Sequence, residues 1–325
     1  MASIIIFCTI FTCVIGKKNI LNNGLDTSPT PYQSVISLWQ IDGFEGGIGS
    51  RKQFLLGVAR KFEKKRDGVL IMVSNQTIEG ANQTLKDGNY PDVISFSNGI
   101  NVAKMSEIKV EKQSKEGKIS NTQYAVTWCM GGYVLIANPN LVSSFENLKE
   151  IDHLLVSQGE YTQPLIALSL EGITAKNVEV LKPMDAYLKF VTGKVGYFLG
   201  TQRDIFRLNN RGMEVLTLPL NKFSDLNQHI SITTTDQMKR YYAQEFINFL
   251  LSDEIQHSLN KIGMFSRFDK VSYDIDCLVK MQKLSDFQTI SAFIDKHNLS
   301  YLQNLSLDAV KGDKESLNKI KKLLI

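Results

Sequence analysis

Apolar and polar positions along the first hundred residues predict short strands that alternate with helices. Apolar side chains dominate residues 35–41, 69–73 and 93–96, which predicts three buried strands. Between these strands, residues 52–65 and 77–86 have the pattern of surface-packed helices. Strands that alternate with helices form a mostly parallel sheet with helices on its faces. The fold class is therefore α/β.

The loop after the first predicted strand, residues 42–51, is the first candidate binding segment. It is rich in glycine and charge, and Ser50 is placed as the N-cap of the following helix. Ligands of open α/β sheets commonly bind at the carboxyl ends of the strands, near helix amide groups. The third strand ends at the same edge of the sheet. The candidates here are Asp42, Glu45, Arg51, Ser97 and Asn98.

A second candidate segment follows the β-like run 195–199. We expect a polar loop there, and its candidates are Thr201, Gln202, Arg203 and Asp204. Two structural alternatives stay open. Arg203 and Asp204 pair with each other or cap the following helix, and Arg51 forms an ion pair with Glu45 or Asp42.

Length and composition limit the domain organisation and the kinds of partner that we expect. A chain of 325 residues exceeds one ordinary core, which favours two lobes and a cleft between them. The formal net charge of +4 comes with no arginine-rich stripe, so we expect no nucleic-acid partner. Cys129 and Cys277 are expected to be buried thiols that form at most one disulfide. The four histidines lack ligand spacing, so we expect no metal and no cofactor.

The first residues have the pattern of an export signal. The uncharged apolar run 4–15 is too short for a membrane span and suits the core of a signal peptide, although the usual basic start is missing and the true start could lie upstream. Cys13 resembles the lipidated cysteine of bacterial lipoproteins, but Thr12 fits that motif poorly. A lipid anchor and a leader cleaved without lipid are the two alternatives. Both place the mature protein on the outer side of the cytoplasmic membrane.

Four segments, in this order, carry a family resemblance: GFEGGIGSRKQFLLGVARKFEKK, DGNYPDVISFSNG, GGYVLIANPNLV and QEFINFLLSDEIQHSLNKIGMFS. With them the chain resembles the extracellular solute-binding proteins of ABC importers, the family of the maltose- and other sugar-binding proteins. The resemblance implies a monomer with a periplasmic-binding-protein-like type II fold, in which crossing hinge strands join two α/β lobes around a ligand cleft. It also implies a membrane permease as partner.

This resemblance guides the predicted division of the chain. Residues 1–30 are the leader and a polar linker, residues 31–125 plus 234–270 form the first lobe, and residues 126–233 plus 271–325 form the second lobe. Crossing strands are predicted within 124–128 and 223–233. We expect residues 273–325 to be helical and to pack on the second lobe.

The predicted solute is a neutral or weakly charged saccharide. Sugar hydroxyls need planar polar partners, and an aromatic ring face suits the apolar side of the sugar. Trp128 is the candidate for such stacking, with Tyr197 as a weaker one and core packing as the alternative for both. An anion such as a sugar phosphate is the competing solute, because Arg51 stands at a helix start; Asp42 and Glu45 argue against it.

Catalysis and ATP binding are not expected. Asp42, Glu45 and Asp204 supply the carboxylates that a glycoside hydrolase needs, but no nucleophile elbow, histidine arrangement or metal motif accompanies them. The motif GxxxxGK[ST] is also missing from the sequence. A membrane sensor kinase is the alternative partner to the permease. Delivery by lobe closure is the expected mechanism in either case.

Overall fold

A computed structural model describes residues 33–282 and 287–325. Predictions about the leader and Cys13 lie outside these residues. The strands are β1 (Ser34–Ile41), β2 (Val69–Gln76), β3 (Val93–Phe96), β4 (Lys118–Ile119), β5 (Thr122–Gln123), β6 (Ala125–Met130), β7 (Tyr133–Ala137), β8 (Glu150–Ser157), β9 (Thr174–Leu181), β10 (Tyr197–Thr201), β11 (Leu216–Leu220) and β12 (Asn227–Ile232).

The α-helices are α1 (Arg51–Glu63), α2 (Ile78–Lys86), α3 (Pro164–Leu170), α4 (Pro183–Phe190), α5 (Gln202–Asn210), α6 (Gln237–Leu250), α7 (Asp253–His257), α8 (Asp276–Met281), α9 (Lys296–Val310) and α10 (Lys314–Leu323). The predicted strands and helices between residues 35 and 96 are confirmed to within a few residues. In the described part of the chain, no helix is long and apolar enough to span a membrane.

The first lobe is built on a five-stranded sheet in the order β2-β1-β3-β12-β6. Strands β2, β1 and β3 are parallel, whereas β12 runs antiparallel to both of its neighbours. Every residue of β3, β6 and β12 is buried, because helices and loops cover both faces of these strands. Helix α1 buries Leu55, Val58 and Phe62 against this sheet. The carboxyl ends of β1 and β3 therefore meet at one edge.

The second lobe is built on a sheet in the order β11-β7-β10-β8-β9. Strands β9, β8 and β10 are parallel, and β7 runs antiparallel to β10 and β11. Helix α8 packs on β11, while α9 and α10 pack on α3. The C-terminal helices thus contact the second lobe. Residues 287–295 are not helical, contrary to the prediction for 273–325. They form hydrogen bonds with segments of both lobes.

The predicted return within 223–233 overlaps the observed one, whereas the predicted first crossing within 124–128 lies in β6 of the first sheet. Strand β12 inserts between β3 and β6, and its hydrogen bonds place both β6 and β12 in the first sheet. The chain therefore crosses at residues 131–132 and returns at 221–226. The predicted division placed these two strands in the second lobe, whereas their hydrogen bonds place them in the first sheet.

Candidate functional site

The loops that follow β1 and β3 are neighbours, as the strand order predicts. A side chain at Gly43 would collide with the Ser97 hydroxyl and would lie 3.2 Å from the carbonyl oxygen of Asn98. Helix α1 begins at Arg51, and the Ser50 hydroxyl accepts a hydrogen bond from the Gln53 amide at 3.3 Å. The first-lobe candidates thus share one edge of the sheet.

Arg51 stabilises the loop that precedes it by contacting Asp42 and Phe44. Its Nε lies 2.6 Å from Asp42 Oδ1, its Nη2 donates to the carbonyl oxygen of Phe44 at 2.5 Å, and its guanidinium lies 4.1 Å from the centre of the Phe44 ring. The arginine is only 4% exposed. Of the two readings left open, this geometry supports the structural ion pair with Asp42.

The second-lobe candidates do not lie in a loop. Strand β10 ends at Thr201 and α5 begins at the next residue, so Gln202, Arg203 and Asp204 form the first turn of that helix. Gln202 is fully buried, and its Oε1 accepts a hydrogen bond from the Gly132 amide at 3.0 Å. Gln202 therefore fixes α5 to the crossing at residues 131–132.

Asp204 acts as a buried helix cap. Its Oδ2 accepts a hydrogen bond from the Thr201 amide at 2.9 Å, and its Oδ1 lies 3.3 Å from Arg207 Nη1. Burial raises the pKa of this carboxyl to about 6, although the Thr201 amide and Arg207 oppose the change. The predicted alternative of a cap is what the structure contains, and the ion-pair partner is Arg207 rather than Arg203.

Glu45 joins the two lobes. Its Oε2 lies 3.0 Å from Arg207 Nη1 and 3.4 Å from Arg203 Nε, and its Oε1 accepts from Arg207 Nη2 at 3.2 Å. Arg203 also donates to the carbonyl oxygen of Gly47. Arg207 was missed in the sequence, although its position four residues after Arg203 places both guanidinium groups on one helix face.

The structure places Trp128 in the core and not at the cleft, contrary to its prediction as the residue that stacks on a sugar. Its side chain is fully buried in β6, its ring stacks on Phe54 with 5.8 Å between centroids, and its Nε1 donates to Ser95 Oγ at 2.9 Å. Both faces of the ring are therefore unavailable to a solute. Tyr197 lies at the opposite end of β10 from Thr201 and packs against Phe145. Neither ring reaches the cleft.

A small cavity of about 20 Å³ lies between the lobes. This volume holds roughly one water molecule, so the cleft is closed. Residues from both lobes and from the return crossing line it: Phe44, Glu45, Tyr133, Ser157, Gly159, Thr162, Pro183, Thr201 and Leu226. Four larger grooves, of about 400, 480, 500 and 640 Å³, are each lined by one lobe, so lobe closure does not form their walls.

Several lining residues escaped sequence reasoning. Ser157 ends the apolar strand β8 and is followed by a polar run, which is the same signal that identified Ser97. Thr162 lies in that run, where its hydroxyl accepts from the Gly159 amide at 2.9 Å. Tyr133 follows the two crossing glycines, and its strand pattern alone indicates only burial.

The Tyr133 hydroxyl contacts a buried carboxyl that lies behind the wall of the cavity. It donates to Asp225 Oδ1 at 2.6 Å, while Oδ2 of the same carboxyl has no partner among the described residues. Burial raises the pKa of Asp225 to about 7. Asn98 Nδ2 donates to the carbonyl oxygens of Asp225 at 3.0 Å and Tyr161 at 3.4 Å. Asn98 thus bridges the first lobe to the crossing and to the second lobe.

Neither described cysteine is among the residues that line this cavity. Cys129 and Cys277 are both free and buried, as predicted. Within residues 33–282 and 287–325, no group of three or more His, Cys, Asp or Glu side chains is arranged to hold a metal ion.

No protein-family model matches the chain, and no curated protein sequence matches it. Solved structures do. The GacH receptor of Streptomyces glaucescens GLA.O, determined unliganded and with acarbose, superposes with a TM-score of 0.55 at 11% identity, covering 89% of this chain and 98% of its own. The sugar-binding protein MalE from Xanthomonas citri has a TM-score of 0.59 at 13% identity, with 89% and 96% covered.

A third similar structure carries a different cargo. Iron-bound HitA from Pseudomonas aeruginosa superposes with a TM-score of 0.53 at 13% identity, covering 88% of this chain and 99% of its own. Identities this low establish the architecture alone. The chain has the periplasmic-binding-protein-like type II fold, with two α/β lobes joined by crossing segments around a cleft.

Proposed function

We propose that this chain is an extracellular receptor that captures a saccharide in its interlobe cleft and delivers it to the permease of an ABC importer. The observation that carries the proposal is a cavity whose walls come from both lobes and from the return crossing. Only lobe closure completes such a site. Two of the similar structures described above are sugar-binding or acarbose-bound proteins, which supports the saccharide.

The chemistry of the lining supports a neutral solute. Ser157 and Thr201 bring hydroxyl groups to the cavity, and hydroxyls exchange hydrogen bonds readily with sugar hydroxyls. The guanidinium groups nearby already have carboxylate partners, Asp42 for Arg51 and Glu45 for Arg203 and Arg207. These carboxylates compete with an anion for the guanidinium groups, so an anion is the less favoured solute.

The proposed role is binding without catalysis. The three carboxylates considered for glycoside hydrolysis have structural partners, with Asp42 on Arg51, Glu45 on two arginines and Asp204 capping α5. Capture proceeds when solute binds one lobe and the other rotates about residues 131–132 and 221–226. Contacts from both lobes then exist only in the closed form, and this difference shifts the population towards it.

A thermal-shift screen of the full chain tests the proposal. The panel contains glucose, maltose, maltotriose, chitobiose, glucose 6-phosphate, inorganic phosphate and glutamate. A solute that binds the native state raises the melting temperature in a saturable way. A shift with neutral sugars supports the proposal, whereas a shift confined to phosphorylated or acidic compounds contradicts the neutral-sugar assignment.

Two glycine substitutions locate the bound solute. Gly159 lines the cavity, and a Cβ there meets only Thr162 at 3.5 Å, so Gly159→Phe should fill the cleft and abolish the solute-induced shift. Gly57→Phe is the matched control, because a Cβ on that residue of α1 has no neighbour within 4 Å. An unchanged shift in Gly159→Phe would place the solute elsewhere.

A further inference from the structure

The two lobes touch each other through charged groups. Glu45 comes from the loop after β1, in the first lobe. Arg203 and Arg207 come from α5, in the second. The carboxylate lies within 3.4 Å of both guanidinium groups. Arg207 contacts both carboxylate oxygens, and this paired geometry fixes direction as well as distance.

The loop that carries Glu45 is anchored in the first lobe. Its Ile48 amide donates to the carbonyl oxygen of Ile262 at 3.1 Å, and Gly47 packs so closely on Gly263 that no side chain fits between them. Arg51 fixes the other part of the loop through Asp42 and Phe44. The position of Glu45 therefore follows the position of the first lobe as a rigid extension.

The arginines are equally well anchored in the second lobe. They lie in the first two turns of α5, which is capped by Asp204 and tied to the crossing by Gln202. Arg207 also pairs with the buried Asp204 at 3.3 Å. Any rotation of one lobe against the other must then stretch the contacts of Glu45.

We propose that Glu45, Arg203 and Arg207 form an interlobe latch that holds the cleft closed in the absence of solute. Arg203 strengthens the latch by donating to the carbonyl oxygen of Gly47, two residues after Glu45. The three side chains are between 15% and 33% exposed, so water screens the attraction only in part.

The latch regulates the proposed solute site, and this consequence rests on the proposed function. A cavity of about 20 Å³ cannot hold a sugar, so the lobes must move apart and the latch must lengthen or break before solute enters. A receptor whose binding-competent form is a minor population has an apparent affinity reduced by that fraction. Solute binding must therefore overcome the contacts of the latch.

Small-angle X-ray scattering of the full chain without solute tests the latch. We expect the unmodified protein to scatter as a compact particle with a radius of gyration of roughly 20 Å. Glu45→Gln and Arg203→Gln should each increase the radius of gyration and the maximum dimension. Arg207 is left unchanged, because its loss would also unpair the buried Asp204.

Arg66→Gln is the matched control. It removes an ion pair with Glu245 at 2.8 Å that lies within the first lobe, so the scattering curve should not change. Circular dichroism verifies that each variant is folded. The unmodified protein supplies an independent readout, since high salt weakens the latch and should increase its radius of gyration.

Two results would overturn the latch. One is an unmodified protein that already scatters as an open particle, and the other is a set of folded Glu45 and Arg203 variants, or salt conditions, with unchanged scattering. No solute is present in these measurements. A failed sugar screen would therefore leave the latch standing, and a failed scattering test would leave the sugar proposal standing.

Discussion

A buried carboxyl at the junction of the lobes makes the stability of this protein depend on pH. Asp225 is 1% exposed, and its usual pKa of 3.8 rises to about 7 in the folded state. The folded chain therefore binds this proton more tightly than the unfolded chain. The contribution of Asp225 to the free energy of unfolding falls as pH rises from about 4 to about 7 and is constant above that range.

Asp225→Asn should remove this contribution. The amide oxygen can still accept the Tyr133 hydroxyl, while the titrating group is lost. Urea unfolding near pH 4 and near pH 7 should show that the variant loses less stability between these values than the unmodified protein. The buried Asp204 titrates in the same direction in both proteins and cancels in the comparison. Equal losses in the two proteins would contradict the assignment.

Single residues differ in how far the sequence predicts their roles. The burial of Trp128 agrees with the mostly apolar run AVTWCM, which is typical of a strand covered on both faces, although Trp128 was predicted as the candidate for stacking on a sugar. The choice of Asp42 over Glu45 as the partner of Arg51 does not follow, because both carboxylates precede it in one loop whose path is set by contacts with distant residues.

At the scale of elements, the loop after β1 requires glycine where it approaches another loop. A Cβ on Gly47 would overlap the backbone of Gly263, whereas a Cβ on the adjacent Gly46 would have its nearest neighbour at 3.7 Å. Gly47 is thus required by a close approach of two loops. Gly46 is not.

Gly47→Ala should destabilise the protein by about 1–3 kcal/mol, because the added methyl group forces the two loops apart. Gly46→Ala should have a melting temperature within the error of the unmodified protein. Differential scanning calorimetry of the two variants measures this contrast. Equal melting temperatures would show that the loop tolerates the methyl group.

Local patterns predict elements well where one short segment contains all the information. Periodicity alone predicts β1, α1, β2, α2 and β3. The immediate passage from β10 into α5 was missed, yet Thr201 and Asp204 have the spacing of a capping box, which marks a helix start at that point. The sequence thus contained the signal for this boundary.

At the scale of the whole molecule, the C-terminal helices are expected to be part of the second lobe. Leu302 of α9 is fully buried, and α9 and α10 cover α3, in which six of seven residues are buried. Leu302→Ala should lower the free energy of unfolding by about 2–5 kcal/mol.

The adjacent Tyr301 is 42% exposed, so Tyr301→Ala is the control and should cost much less. Denaturant unfolding of both variants gives the comparison. If the two substitutions have the same small effect, α9 contributes little to the stability of the lobe.

Long-range pairing sets the limit of prediction at this scale. Length and strand–helix alternation predict two lobes, but nothing local to residues 227–232 indicates that they pair between β3 and β6. The contact between Glu45 and Arg207 joins residues 162 positions apart, so the closed cleft is likewise outside the reach of local patterns.

The position of β12 in the first sheet also limits the order in which the two sheets can be completed during folding. Within the described residues, β6 has β12 as its one neighbour in the sheet, and β12 is synthesised after the entire second-lobe sheet. The first sheet stays incomplete while the second can already form. Such distant pairing slows folding. A slow-closing first sheet would keep the chain unfolded for longer, which suits the proposed export across a membrane.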